Sequence, residues 1–120
     1  MDFTNELPIY LQIINMIKVD IVSGKIVKGE KLPSTRELAI ELKVNPNTIQ
    51  RVYKELETEE ICFTKRGMGT YVTEEDLTIA QLKELLAQEK IEQFVAGMEQ
   101  LNYTIGDIIA KLHAYGEGKR

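Results

Sequence analysis

Histidine and cysteine occur once each in this chain of 120 residues, as His113 and Cys62, and tryptophan is absent. A single cysteine cannot form an internal disulfide, which fits a reducing compartment. One histidine and one cysteine leave only carboxylates to complete a metal site, so no metal ligand is assigned. A Ser-His-Asp site has to be built around His113, which falls on the last helical segment beside Leu112. An ordinary surface or partly buried histidine is the simpler reading there. Cys62 lies in a strand-like run where a small apolar residue suffices. Gly67-Met68-Gly69 lacks the rest of a phosphate-cradling loop and a following helix start. The expectation is a protein that is not an enzyme and carries no cofactor.

Long apolar runs are also missing. Nothing approaches the ~20 residues needed to cross a bilayer, and no charged-then-apolar leader opens the chain, so a soluble, unexported, cytoplasmic protein without a membrane partner is expected. With 43% apolar residues the chain has room for one modest core and a small appendage. A basic excess is lacking as well, since the net charge is −4. Residues 1–73 hold ten Lys or Arg against ten Asp or Glu, whereas residues 74–120 hold five against nine. The deficit therefore belongs to the C-terminal segment. A neutral N-terminal part, with Glu55, Glu57, Glu59 and Glu60 crowded together, predicts modest non-specific affinity for a polyanion and a shallow salt dependence.

What the chain does contain is concentrated in LPSTRELAIELKVNPNTIQRVYKEL, residues 32–56. Ser34 followed three residues on by Glu37 forms a capping box that opens one helix. Asn45 caps a second, with Pro46 at its first position, where the missing N–H costs nothing. Leu38, Ala39 and Leu42 make the inner side of the first, and Lys43-Val44 leaves only a tight turn. In the second, Ile49, Val52, Tyr53 and Leu56 share an inward face, while Asn47, Gln50, Arg51 and Lys54 share another. This is the layout of a helix-turn-helix. Asn, Gln and Arg can pair bidentately with adenine or guanine edges, each worth roughly 1–3 kcal/mol of discrimination. A merely solvated polar face is the alternative reading of the same row.

An earlier helix is predicted from about Pro8 to Ser23, with Tyr10, Ile13, Ile14, Ile17 and Ile21 as its stripe, Gly24 as its stop and no evident N-cap oxygen at Leu7. Residues 25–31 read as a turn-containing connection around Gly29. After the helix-turn-helix, ICFT and TYVT read as two strands joined by KRGMG, whose Gly67 and Gly69 permit positive φ. Such a hairpin is a wing, and Lys65 and Arg66 at its tip are placed to reach phosphates or a minor groove. A hairpin that only closes the core is the alternative.

Taken in order, PIYLQI, GKIVKGEKLPSTRELA, VNPNTIQRVYKELE and TKRGMGTYV cover residues 8–72. This succession resembles the DNA-binding domain of the GntR family of bacterial transcription regulators. The resemblance implies that Ser34, Arg36, the polar residues Asn45, Pro46, Asn47, Thr48, Gln50 and Arg51 with Lys54, and the wing residues Lys65, Arg66, Gly67 and Gly69 approach double-stranded DNA. It implies that Thr48 holds a phosphate and that Arg36 enters the groove edge. Tyr53 also matches the pattern, but its inward place makes core packing the better reading. One departure stands out. The family often has glycine where this chain has Glu60, and a left-handed residue is costly without glycine, so the helix is expected to end by another geometry.

From Glu74 the pattern is helical, with Leu82, Leu85, Leu86, Ile91, Phe94, Val95 and Met98 in a broad stripe. A further helix is capped by Thr104 with Asp107 and carries Ile105, Ile108, Ile109 and Leu112. The apolar surplus points to pairing with a second copy, a homodimer that places two recognition helices on an inverted-repeat operator. An intramolecular helical hairpin is the monomeric alternative. The expected fold is mainly α with a small β-hairpin wing: a winged helix-turn-helix domain at 1–73 followed by a two-helix dimerisation segment at 74–120. So short a tail resembles the YtrA-type subfamily, which implies a repressor, often of an operon for an ABC-type transporter. A winged helix that binds only protein is the rival, though it has no need of the donor row. Phe94, Met98 and Tyr103 lie where a small effector ligand, of unknown identity, could lodge between the C-terminal helices, although apolar residues at helical spacing are usually core.

Overall fold

Ile13, Ile14, Ile17 and Ile21 recur at helical spacing and are all buried, which sets the inner face of the first helix, α1 (Ile9–Val22). In the computed structural model, which describes residues 2–119, six further elements follow: α2 (Thr35–Leu42), α3 (Pro46–Thr58), β1 (Cys62–Lys65), β2 (Gly69–Val72), α4 (Asp76–Gln100) and α5 (Ile105–Gly118). By packing, the chain divides into two compact units, Met1–Lys83 and Glu84–Arg120, a division that falls inside α4.

In the first unit α3 packs against α1 and α2, and the core is built from the α1 isoleucines, Leu38, Ala39, Ile49, Val52, Leu56, Ile61 and Val72. Full burial of each large aliphatic side chain contributes about 1.5–3 kcal/mol. Tyr53 is buried with them, and its hydroxyl donates to the Pro33 carbonyl at 2.7 Å, so its place is structural. Lys18 on α1 pairs with Glu59 at 3.0 Å. Pro8 sits at the α1 N-cap without a side-chain cap. The Gln12 amide instead donates to the carbonyls of Thr4 and Leu7 at 2.9 and 2.8 Å, folding the leading residues over the helix start.

α2 opens on the Ser34–Glu37 capping box and ends on Lys43, left-handed at φ 58°. The N–H groups of Lys43 and Val44 donate back to Ile40 and Ala39. α3 ends the same way, which corrects the expectation for Glu60: it adopts φ 61°, left-handed without being glycine. Its N–H donates to Glu57 and that of Ile61 to Leu56, and Leu56 and Ile61, the two positions that carry the apolar pair of such an ending, are both buried.

The hairpin pairs Cys62 with Val72, Phe63 with Tyr71, Thr64 with Thr70 and Lys65 with Gly69. Both strands are one residue nearer the turn than expected, because Lys65 and Gly69 continue the ladder. A segment read as plain connection also joins it. Leu32 donates to Thr70 at 2.8 Å, Val72 donates to Glu30 at 2.9 Å, and Lys31 bridges to Tyr71. Residues 30–32 thus tie the wing to the approach of α2. α4 starts at Asp76 rather than Glu74, after the buried Thr73, whose hydroxyl accepts the Glu75 N–H.

In the second unit α4 runs to Gln100, Asn102 turns left-handed at φ 67°, and α5 opens on the Thr104–Asp107 capping box. The residues assigned to dimerisation divide in two. Leu82, in the first unit, and Leu86 and Ile108, in the second, are already buried within one chain, which removes them as free surface. Leu85, Ile91, Phe94, Ile105, Ile109 and Leu112 are exposed, and Val95 and Met98 are half-buried.

Candidate nucleic-acid interface

The exposed side of α3 begins at Asn45, whose side-chain oxygen accepts the Asn47 N–H at 2.8 Å and leaves its own amide donors unused in the cap. Pro46 then starts the helix. Asn47, Gln50, Arg51 and Lys54 are exposed, and Thr48 is half-buried at the edge of the packed face. No hydrogen bond or ion pair among the described residues engages the side chains of Asn47, Gln50, Lys54 or Arg36. The donors needed for base edges are therefore available without breaking an internal contact. The first carboxylate on α3 is Glu55, so the N-terminal stretch of the helix presents only amides and cations, at the end where the dipole favours an anion. Two of the acids farther along are engaged elsewhere, Glu59 by Lys18 and Glu57 by the Thr64 hydroxyl at 3.1 Å.

Arg51 departs from the simple picture of a free polar row. Its guanidinium carbon sits 3.5 Å from the centre of the Tyr10 ring on α1. Tyr10, expected in the inward stripe, is half-buried and offers its ring face to Arg51 on α3. Stacking uses the π face of the guanidinium and leaves its in-plane N–H donors for other partners.

At the start of α2 the Ser34 hydroxyl accepts the Glu37 N–H at 3.1 Å and the Glu37 carboxylate accepts the Ser34 N–H at 2.9 Å. These bonds hold the Glu37 carboxyl below the usual carboxylate range. Ser34 and Arg36 are both exposed, and the Ser34 hydroxyl keeps its proton to donate. A cleft of about 260 Å³ brings Ser34 and Thr35 together with Lys31, Met68, Gly69 and Thr70, so the α2 start and the wing adjoin.

The wing differs in detail from expectation. Arg66, Gly67 and Met68 form its tip, with Gly67 at φ 76° and the Met68 N–H donating to Lys65 at 2.8 Å. Lys65 is not at the tip. It pairs with Gly69, and its ammonium lies 4.5 Å from the Tyr71 ring centre and 5.8 Å from that of Phe63, over the stacked pair these rings form. Gly69, at φ 127°, admits Lys31: a Cβ there would stand 2.9 Å from Lys31 Cε. Lys31 and Tyr10 are the residues that sequence reasoning missed. The alternation of Lys31 and Leu32 with Tyr71 and Val72 was a faint signal for the first, and the outward reach of a tyrosine at the start of α1 for the second.

Burial pushes the Cys62 thiol up to about 12, which fits a buried strand residue without reactive character. Among the described residues no helix is long and apolar enough to cross a membrane.

Comparison with known proteins agrees with this geometry. Residues 9–72 match the family described as bacterial regulatory proteins, gntR family. The HTH-type transcriptional regulator YhcF of Bacillus subtilis is 42% identical over 97% of this chain and 96% of its own length. The HTH-type transcriptional repressor YtrA of the same organism is 45% identical over 77% of this chain and 75% of its own. A GntR family transcriptional regulator from Listeria monocytogenes superposes with a TM-score of 0.86 at 45% identity, covering 93% of this chain and 98% of that one.

Proposed function

Because this chain belongs to the gntR family of bacterial regulatory proteins and is a DNA-binding transcription regulator rather than an enzyme, we propose that it represses transcription as a homodimer bound to an inverted-repeat operator. Residues 1–73 carry the DNA contacts and residues 74–120 the self-association. α3 enters the major groove, where Asn47, Gln50 and Arg51 meet base edges and Lys54 a phosphate. Asn45, Pro46 and Thr48 bring the helix start to the backbone, Arg36 and Ser34 approach from α2, and Arg66 with Gly67 and Gly69 approaches from the wing. Lys65 follows with its ammonium on the aromatic pair. Repression is what the name of the YtrA relative states of that protein. A transporter operon as target, and the cytoplasm as the place of action, belong to the same proposal.

The observation that carries this reading is the row of donors on the N-terminal part of α3, exposed and, among the described residues, free of internal hydrogen bonds and ion pairs, on the same compact unit as the wing. A winged helix that binds only protein gains nothing from it. The exposed apolar residues of the second unit, Ile91, Phe94, Ile105, Ile109 and Leu112, support self-association. The test is selection of bound duplexes from a random pool. The expected result is an inverted repeat whose half-sites lie about 10 bp apart or a multiple of that. Failure to enrich any sequence overturns sequence-specific reading, and enrichment of a single unrepeated half-site overturns the two-fold arrangement.

A further inference from the structure

We infer that Tyr10 is a positioning residue for base recognition: its ring holds the Arg51 guanidinium at the surface of α3 with the hydrogen-bonding edge left open for DNA. The inference rests on the DNA-reading role of α3 proposed above and adds a residue from a different helix to it.

Three observations carry it. The first is the contact itself, with the guanidinium carbon 3.5 Å from the ring centre, a stacking distance. The second is the alternative Arg51 does not take. Glu55 lies four residues along the same helix, within reach of an i,i+4 ion pair, although with the base preceding the acid this is the weaker order. No such ion pair forms, and Arg51 makes no hydrogen bond among the described residues. A carboxylate would occupy the fork of N–H groups that guanine recognition requires, whereas an aromatic ring occupies only the flat face. The third is the rigidity of the support. Tyr10 is one turn ahead of Ile13 and Ile14, which are 0% and 5% exposed, so the ring stands on a helix locked to the core rather than on a loop.

The physical consequence concerns the cost of binding. An unsupported arginine on a helix surface samples many rotamers, and ordering it on DNA consumes part of the interaction. A guanidinium already stacked in the free protein loses less on binding. Tyr10 thus contributes to operator affinity without touching DNA, and it contributes through Arg51 alone. The Tyr10 hydroxyl has no hydrogen-bond partner among the described residues, so the ring is the part that matters.

The test uses the full chain with the operator recovered from the random pool and an unrelated duplex of equal length. Tyr10→Phe keeps the ring and is expected to bind operator within about twofold of the unaltered protein. Tyr10→Leu keeps an apolar side chain without a π face and is expected to weaken operator binding about fivefold while leaving the unrelated duplex unchanged. Arg51→Ala is expected to lose operator preference, and Tyr10→Leu added to it is expected to cost nothing more. In the DNA-free protein, the Arg51 side-chain protons are expected to show an upfield ring-current shift that Tyr10→Leu abolishes. Operator binding by Tyr10→Leu equal to that of the unaltered protein, when Arg51→Ala is impaired, overturns the inference. So does a Tyr10→Leu loss shared equally by both duplexes or additive to that of Arg51→Ala. A neutral Arg51→Ala has a different signature: it removes Arg51 from base reading, and the role of Tyr10 falls with it even if the ring-current shift persists.

Discussion

The Arg51 guanidinium lies over the Tyr10 ring at 3.5 Å, joining α3 to α1 through a side chain that ordinary polarity arguments leave in solvent. The contact makes a direct prediction for Arg51→Lys. Lysine keeps the charge but has neither a planar face to stack nor a fork to pair with guanine. Operator affinity is expected to fall about tenfold, near the loss of one bidentate pair. The salt dependence of binding should stay the same, because the number of cations is unchanged. Equilibrium titrations at several salt concentrations measure both, and equal operator affinity in the lysine variant contradicts base reading by the arginine fork.

Glu60 stands at φ 61° at the end of α3. A side chain in that conformation costs roughly 1–2 kcal/mol, part of which glycine returns as extra freedom of the unfolded chain. Glu60→Gly also removes one negative charge from the negative end of a helix dipole. The variant is expected to be more stable by about 0.5–1 kcal/mol, a rise of roughly 2–5 °C in Tm. Asn102→Gly, at φ 67°, should gain less, since asparagine tolerates this region better than glutamate. Thermal melts of the two variants side by side check the order.

Local signals and distant ones fared differently. The capping boxes at Ser34–Glu37 and Thr104–Asp107 were legible because both partners lie within one turn of chain. The core of α3 was legible because Ile49, Val52, Tyr53 and Leu56 repeat with the helix period, and all four are buried. The pairing of residues 30–32 with β2 was not, because its partners are some forty residues away and too few to show alternation. The left-handed ending at Glu60 is not legible for a related reason. The apolar contact of Ile61 with its surroundings and the two closing hydrogen bonds outweigh the local cost of its backbone, and propensity alone does not register such tertiary gains. Among the site residues, which side chains lie on the outer face of α3 was readable from spacing. That Arg51 rests on Tyr10 and Lys65 on Tyr71 was not, since each pairing depends on how two elements meet.

The wing offers two cations in unlike settings. Arg66 is exposed at the tip, while the Lys65 ammonium is held over Tyr71 at 4.5 Å. Arg66→Ala is expected to reduce the slope of log affinity against log salt by about one unit, and to weaken all sequences together. Lys65→Ala should also loosen the hairpin by removing the contact with its aromatic pair, so its effect includes a lower melting temperature. An unaltered slope in Arg66→Ala takes the wing tip out of the contact surface.

Cys62 is 2% exposed and its thiol is pushed up to about 12 by burial. The folded chain therefore keeps a proton that the unfolded chain releases above a pH of about 8.5. Stability from this source is fully present at neutral pH and declines as pH rises from about 8.5 toward 12. At pH 8 a thiol reagent should react with the native protein only as fast as Cys62 becomes exposed, and at once in denaturant. Rapid native labelling contradicts the buried assignment.

Ile109 is 51% exposed on α5 whereas Ile108 beside it is 3% exposed, so neighbouring isoleucines separate an outer surface from the inner packing of one chain. If the outer set is the interface, Ile109→Asp should leave the helices intact and convert a particle of twice 13.7 kDa into one of 13.7 kDa by light scattering. A monomer can hold only one half-site, so operator affinity is expected to fall by about 10²–10⁴ through loss of the linked second contact. Ile108→Ala should behave in the opposite manner. It removes packing within the chain, costs about 2–5 kcal/mol of stability, and should retain the dimer at temperatures where it remains folded. A protein that is already monomeric at micromolar concentration and binds its operator as tightly as Ile109→Asp does contradicts the two-fold arrangement. It would assign the exposed side chains Ile91, Phe94, Ile105 and Leu112 to some other contact.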